Sequence, residues 1–433
     1  MTPFSLPISA ATARRLSHAA GALALVALLS ACGDSDPPRG ALLSSAQVAP
    51  VTKSAIDAAM TTAGLAPLAG AAKCNVTVRE IVYATPGPKG GMYDVSAALL
   101  IPTDCAAGVP SPMPLVAYNR GTEVVKTRAM ANPSDGETGA LMGLLAAQGY
   151  AVVATDYLGY HRSTHAYHPY LHADSQASTT VDSIRAARHA LAAMGLSTSG
   201  KLLLTGYSQG GHASMATLKA IEADAGLGLT VAAAGPMSGP YSLTNSFVAG
   251  LALLPGGSGG SSVFTPFLVS SYQKIYGNVY TTVTDFYKAP YATGIEDLLP
   301  GTRSFNELYT SGKLPVALGD LVTDAAVASI ADANSNIRKA LLANDLTSGW
   351  TPKAPLMMCG GSGDPVVLYA QNTPVALAAF GGATATRFAV DVNDAMVGAG
   401  IPAFSANYHG AAMPFCLKAV RDGLFNSLFT PPV

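Results

Sequence analysis

Ser208 lies in Gly206-Tyr207-Ser208-Gln209-Gly210, a G-x-S-x-G pentapeptide that follows the apolar run Leu202-Leu203-Leu204 and precedes the helix-like stretch ASMATLKAIEA. A strand turning sharply into a helix at such a pentapeptide lifts the serine hydroxyl above a sheet. Gly206 and Gly210 are required there because side chains would collide with neighbouring backbone. A serine hydroxyl is a poor nucleophile at neutral pH; it needs an imidazole to take its proton and a carboxylate to fix that imidazole's tautomer and stabilise its charge. In folds built on this turn the chain order is serine, acid, histidine. Two histidines follow Ser208. His212 falls one turn into the helix and is expected to pack beside the elbow, which leaves His409, in SANYHGAAMPFC, as the candidate base. The candidate acid is Asp364, in the loop after the apolar run of APLMMCGGSGDPVV; its rivals Asp391 and Asp394 precede a Gly-rich stretch and read as surface or turn residues. Charge developing on an attacked carbonyl oxygen calls for backbone N–H donors. Gln209, directly after the nucleophile, is expected to supply one, and Thr122, following Gly121 at the end of PLVAYNRGTE, the other.

A second concentration of reactive side chains is HRSTHAYHPYLHAD, where His161, His165, His168 and His172 account for four of the chain's 8 histidines. Spacings of four, three and four would stack on one helix face and attract zinc or copper. Pro169 argues against a helix, because it pushes His168 towards extended geometry and removes a helical N–H. The proline weakens the helical metal site without excluding it; the reading of this segment as a loop and pocket wall with no metal rests on the family resemblance of its HPYL run, described below.

The elements around these residues alternate. PLVAYNRG, LMGLLAAQGY, AVVATDYLG, STTVDSIRAARHALAAMG and KLLLTGYSQGG read as strand, helix, strand, helix, strand, the signature of a mostly parallel sheet with helices on both faces. From about Tyr241 to Trp350 the alternation lapses: LLPGGSGGSS reads as a flexible loop and DAAVASIADANSNIRKALLAN as helical. It resumes at APLMMCGGSGD. The division expected is a core over 68–240 and 351–433, with an inserted, largely helical cap over 241–350. With 433 residues, 49% hydrophobic and 12% charged, the chain can bury one large core with an inserted subdomain. A net charge of −1 and no long basic run give no reason to expect a nucleic-acid partner.

The amino terminus carries Arg14-Arg15, an apolar run from Ala19 to Leu29 and then Leu29-Ser30-Ala31-Cys32. The apolar run is too short for a permanent span, so residues 1–31 read as a signal peptide. LSAC resembles a bacterial lipobox, which implies a lipidated Cys32 as the mature amino terminus and membrane attachment through acyl chains; the alternative is an ordinary secretory signal that leaves a periplasmic or extracellular protein. Gly33 after the cysteine points to outer-membrane sorting in a Gram-negative cell. Residues 33–67, rich in Ala, Ser and Pro, are expected to be a flexible tether. Four cysteines remain, an even number for an oxidising compartment. Cys74 and Cys105 bracket two apparent strands joined by PGPKGG, so hairpin pairing favours a 74–105 bridge and leaves Cys359 with Cys416. No Cys-x-x-Cys spacing suggests a metal.

AYNRGT, VVATDYLGY with HPYL after it, GYSQGGHAS, AAAGP, WTPKAPLMMCGGSGDPVV and NYHG together resemble the secretory-lipase family of α/β-hydrolases, over most of the chain from about residue 75 onward. The resemblance implies an α/β-hydrolase fold and a secreted carboxylic-ester hydrolase. Its insertion would form a lid over the acyl pocket, and no cofactor is implied. The chain departs from the family at Arg120, where a histidine is more common, and at His161, where a glycine is. Two other readings of the same residues stay open. One is a serine peptidase or aminopeptidase, with Glu123 or the Tyr-rich insertion gripping a peptide terminus. The other is a lipid-anchored binding protein with an inactive site. The apolar residues Phe264, Phe267, Leu268 and Tyr272 suit a greasy acyl chain but would equally suit core helices.

Overall fold

The central feature is a nine-stranded sheet, seen in a computed structural model that describes residues 36–105, 108 and 112–429. The expected signal peptide and Cys32 lie outside the described residues. The strands are β1 (Leu42–Val51), β2 (Asn75–Pro86), β3 (Met92–Thr103), β4 (Met113–Asn119), β5 (Ala151–Thr155), β6 (Thr198–Tyr207), β7 (Val231–Met237), β8 (Leu356–Gly360) and β9 (Arg387–Asp391). Their order across the sheet is β1-β2-β3-β5-β4-β6-β7-β8-β9. The first three strands and β5 pair antiparallel, and every pairing from β5 to β9 is parallel.

The central strands read as continuous apolar runs because both faces are covered. Along β4, Val116 and Tyr118 enter one core cluster while Leu115 and Ala117 enter the other; along β6, Leu203 faces the first cluster and Leu202 and Leu204 the second. Side-chain alternation along a strand requires this split. Helices α2 (Gly136–Leu144) and α10 (Tyr408–Gly423) contribute to the first cluster, and α3 (Ala173–Ala193), α4 (Gln209–Ala223) and α9 (Tyr369–Ala379) to the second.

The predicted tether over 33–67 is instead ordered structure over most of its length: β1 extends the sheet beside β2, and α1 (Lys53–Thr62) buries Ile56 and Met60 in the first core. The cause is pairing rather than composition. β1 is an edge strand whose side chains stay largely outside, with register irregularities between Leu42 and Ser44 and between Gln47 and Ala49, so its backbone hydrogen bonds hold it and its sequence carries little apolar signal.

Between β7 and β8 the described chain forms helices and turns, among them α5 (Leu243–Ala252), α6 (Ser261–Tyr276), α7 (Asp324–Ala331) and α8 (Asn336–Ala343). They enclose a third apolar cluster, which also takes in Tyr157, Tyr160, Tyr170 and Leu171 from the segment after β5. The Tyr272 hydroxyl donates to the Leu171 carbonyl at 3.0 Å, fixing this inserted layer to that segment. Two disulfides complete the frame. Cys74–Cys105 closes the β2–β3 hairpin, and Cys359–Cys416 ties β8 to α10.

Candidate active site

Ser208 stands between β6 and α4 with φ 58° and ψ −119°, a left-handed backbone that a side chain adopts only when its surroundings enforce it. The enforcement comes from close packing. A Cβ at Gly206 would sit 2.4 Å from the Gly210 carbonyl oxygen, and one at Gly210 would sit 1.8 Å from that of Asn119. Only glycine lets the helix start so close to β4.

The Ser208 hydroxyl lies 2.9 Å from His409 Nε2, and His409 Nδ1 lies 2.6 Å from Asp364 Oδ2. With the imidazole neutral, Nδ1–H donates to the carboxylate and Nε2 accepts from the serine. Asp364, in the loop after β8, is 2% exposed, and its second oxygen accepts from the N–H groups of Val366 and Val367 at 2.8 and 3.1 Å. The carboxylate is thus fixed before it meets His409. His409 belongs to the first turn of α10; the Tyr207 hydroxyl donates to its carbonyl, and the two rings pack with centroids 5.1 Å apart. The Cys359–Cys416 bridge joins the strand leading to Asp364 to the helix bearing His409. The sequence rivals lie elsewhere in the bonding pattern: Asp391 accepts from the N–H groups of Ser362 and Asn393, a turn role.

Gln209 is the first residue of α4, so its N–H is among those without an acceptor inside the helix. Thr122 follows β4 and lines the same two cavities as Ser208. The loop carrying Thr122 is bound from several sides. Gly121 N–H donates to Glu137 Oε1 at 2.9 Å, Tyr157 and Tyr160 hydroxyls donate to the carbonyls of Arg120 and Glu123, and the Thr122 and Tyr170 hydroxyls bond at 2.8 Å. Arg120, where the family more often has histidine, is fully buried under this loop, 3.7 Å from Asp156 and 3.6 Å from Glu123, with its guanidinium 4.9 Å from the Tyr160 ring centre. Arg128 gathers Glu123 at 2.7 Å, Asp135 at 2.6 Å and Glu137 at 3.3 Å. Sequence reasoning missed Arg128 and Glu137. The available signal was acidic residues at the start of a helix, since Asp135 caps α2.

The histidine-rich segment is a loop, as its proline demands, and its imidazoles bond separately. His161 meets Glu80 at 2.7 Å, His165 bonds the Tyr167 carbonyl, and His172 caps α3 through the Ser175 N–H. His168 is different. Its Nδ1–H donates to the Leu158 carbonyl at 2.9 Å, so Nε2 accepts from the Gln209 side-chain amide at 2.7 Å. Burial pushes its pKa down to about 3, so it is uncharged at neutral pH. Among the described residues no group of three or more His, Cys, Asp or Glu side chains is placed to hold a metal. His212, also expected beside the elbow, is buried between Gln176 and the Asn344 carbonyl, and burial lowers its pKa to about 4.

Two cavities meet at Ser208. The first, about 100 Å³, runs under the inserted layer past Leu243, Phe247, Leu251, Leu318 and Ile330. The second, about 730 Å³, includes His409 and runs towards α10 and the segment 63–68. Phe264 lines both, whereas Phe267, Leu268 and Tyr272 belong to the packed interior of the inserted layer.

A mostly parallel sheet, a strained serine between strand and helix, and a serine–imidazole–carboxylate chain define an α/β-hydrolase. A profile of the secretory lipase family matches residues 133–239. Over 90% of this chain and 100% of its own, the rice cell wall degrading esterase LipA from Xanthomonas oryzae is 32% identical, with a TM-score of 0.81. A protein from Legionella pneumophila, 22% identical over 88% of this chain and 96% of its own, superposes with a TM-score of 0.77. Candida antarctica lipase A shares the fold at 19% identity, with 82% of this chain and 77% of that one covered and a TM-score of 0.56. No curated protein sequence gives a significant match. The chain belongs to the secretory lipase family and is a hydrolase of the lipase and esterase type.

Proposed function

We propose that the protein is an exported serine carboxylic-ester hydrolase that works through an acyl-enzyme on neutral, apolar esters. The observation that carries this is the continuous Ser208–His409–Asp364 hydrogen-bonded chain opening onto two apolar-walled cavities. Ser208 Oγ attacks the ester carbonyl carbon while its proton passes to His409 Nε2; Asp364 holds the imidazolium that forms. The N–H groups of Gln209 and Thr122 receive the oxyanion. The carbon–alkoxy bond then breaks, and His409 returns the proton to the departing alkoxide. Water, deprotonated by the same nitrogen, releases the acid and restores Ser208.

The narrow cavity under the inserted layer suits an aliphatic acyl chain. Export and attachment through a lipidated Cys32 remain part of the proposal, drawn from the lipobox-like LSAC. Among the described residues no helix is long and apolar enough to cross a membrane. The peptidase reading loses its acidic anchor: Glu123 is committed to the N–H groups of Val124 and Val125 and to Arg128. The test is hydrolysis of nitrophenyl esters from acetate to palmitate by protein beginning after Cys32, with Ser208→Ala as the blank. Ser208-dependent turnover is expected. Equal rates from both proteins at every length would overturn the assignment.

A further inference from the structure

The two cavities that meet at Ser208 differ in one respect that decides what each can hold. His409 lines the larger and is absent from the walls of the smaller, while Ser208 and Thr122 line both. If the hydrolase reading above holds, on which this inference rests, the proton that His409 Nε2 takes from Ser208 must be delivered to the leaving alkoxide oxygen as the carbon–alkoxy bond breaks. The leaving group therefore has to lie on the His409 side, and the acyl carbon chain on the other.

We propose that the larger cavity is a leaving-group subsite for a bulky, uncharged, apolar alcohol, and that residues 63–68 form one of its selective walls. The chemistry of the lining supports this. Leu65, Leu68, Phe305, Ile401, Met413 and Phe415 face it with carbon surface. The one carboxylate in the lining, Glu137, is already engaged with Arg128, the Tyr118 hydroxyl and the Gly121 N–H, so it is not available to recruit a cationic alcohol. The room is about 730 Å³, which admits a bulky alcohol, against about 100 Å³ on the acyl side. The segment 63–68 contributes because α1 and the short helix Ala66–Ala69 are folded onto the core. Arg421, buried in α10, donates to the carbonyls of Leu68 and Ala69 at 3.1 and 3.0 Å. The wall thus hangs from α10, the helix that carries the general base.

Two exposed alanines that line this cavity, Ala63 and Ala399, provide a test that spares both the core and the hydrogen-bonded chain. Ala63→Trp and Ala399→Trp narrow the cavity; Ala58→Trp, on an exposed position of α1 outside it, is the control. The substrates are methyl and 2-naphthyl butyrate, which give the same acyl-enzyme, together with methyl octanoate as a probe of the acyl side. The expected result is that the naphthyl-to-methyl ratio of kcat/KM falls at least tenfold in both cavity variants and is unchanged in the control, while the octanoate-to-butyrate ratio stays as in the parent. A shift in the octanoate-to-butyrate ratio with a constant alcohol preference would reverse the two subsites and overturn the proposal. A parent protein that cleaves neither butyrate would overturn the ester-hydrolase reading itself, and this assignment with it. Melting temperatures close to the parent's in all three variants separate a narrowed cavity from a damaged fold, and a cavity variant that melts early is replaced by its Leu counterpart.

Discussion

His409 and His168 both lie close to the Ser208 elbow, and the difference between them shows what makes an imidazole reactive. His409 has a carboxylate on one nitrogen and the Ser208 hydroxyl on the other, with 15% of its side chain open to solvent. The carboxylate partner is itself held by backbone N–H groups. His168 has a backbone carbonyl on one nitrogen and a side-chain amide on the other, among the rings of Tyr157, Tyr160 and Phe267. Charging it would bury a cation with no carboxylate beside it, which is why its pKa falls to about 3. On the proposed mechanism the first imidazole carries a proton through the reaction cycle. The other can only hold a shape, and the shape it holds is the start of α4, whose first residue is Gln209.

The comparison breaks most sharply at His409. His409→Ala is expected to lower kcat roughly 10⁴-fold or more with the fold intact, measured by ester turnover alongside circular dichroism. Residual activity within tenfold of the parent would remove His409 from the proton path. A smaller effect is expected from the bridge that positions it. Replacing Cys359 and Cys416 together with Ala should lower unfolding stability by about 2–4 kcal/mol in denaturant titrations and reduce turnover, because β8 and α10 lose their covalent tie.

Acid stability sharpens the contrast from the other side. The folded pKa values of His168 and His212, about 3 and about 4, lie below the ordinary value near 6.5, so between those limits the unfolded chain binds more protons. Their contribution is fully present above pH of about 6.5 and is lost as pH falls towards the folded values, at up to about 1.4 kcal/mol per pH unit for each imidazole. His212→Gln should flatten the stability-against-pH curve between pH of about 4 and 6; an unchanged slope would mean that His212 is not buried as a neutral ring. The smallest expected effect belongs to His168 itself. His168→Ala frees the Gln209 side chain and should reduce kcat about tenfold while leaving KM and the pH profile nearly in place, since it loosens the residue proposed as one oxyanion donor without touching the proposed proton path.

The sequence made some of this visible because certain geometries admit few residues. The elbow needs glycine on both sides of Ser208, so Gly206 and Gly210 announce it. Chain order then narrows the base to His409, and the loop after an apolar run narrows the acid to Asp364. Pro169 argues against a helix through the four histidines, and the segment is a loop. What escaped notice shares a different character. β1 is an edge strand held by backbone hydrogen bonds, and its Ala and Ser content resembles a linker. Glu137 and Arg128 act through contacts across the loop after β4, which no local period encodes. The wide cavity draws its walls from 63–68, Phe305 and 399–415, segments that only the folded sheet brings together.

The proposed mechanism requires that His409 activate Ser208. Its most direct test is covalent labelling by an alkyl fluorophosphonate, read by intact mass and by peptide mapping. The account predicts one adduct per chain, on the peptide containing Ser208, formed rapidly in the parent and in Cys32-truncated protein, at least a thousandfold more slowly in His409→Ala, and not at all in Ser208→Ala. Labelling of His409→Ala at the parent's rate, or an adduct on a residue other than Ser208, would contradict it.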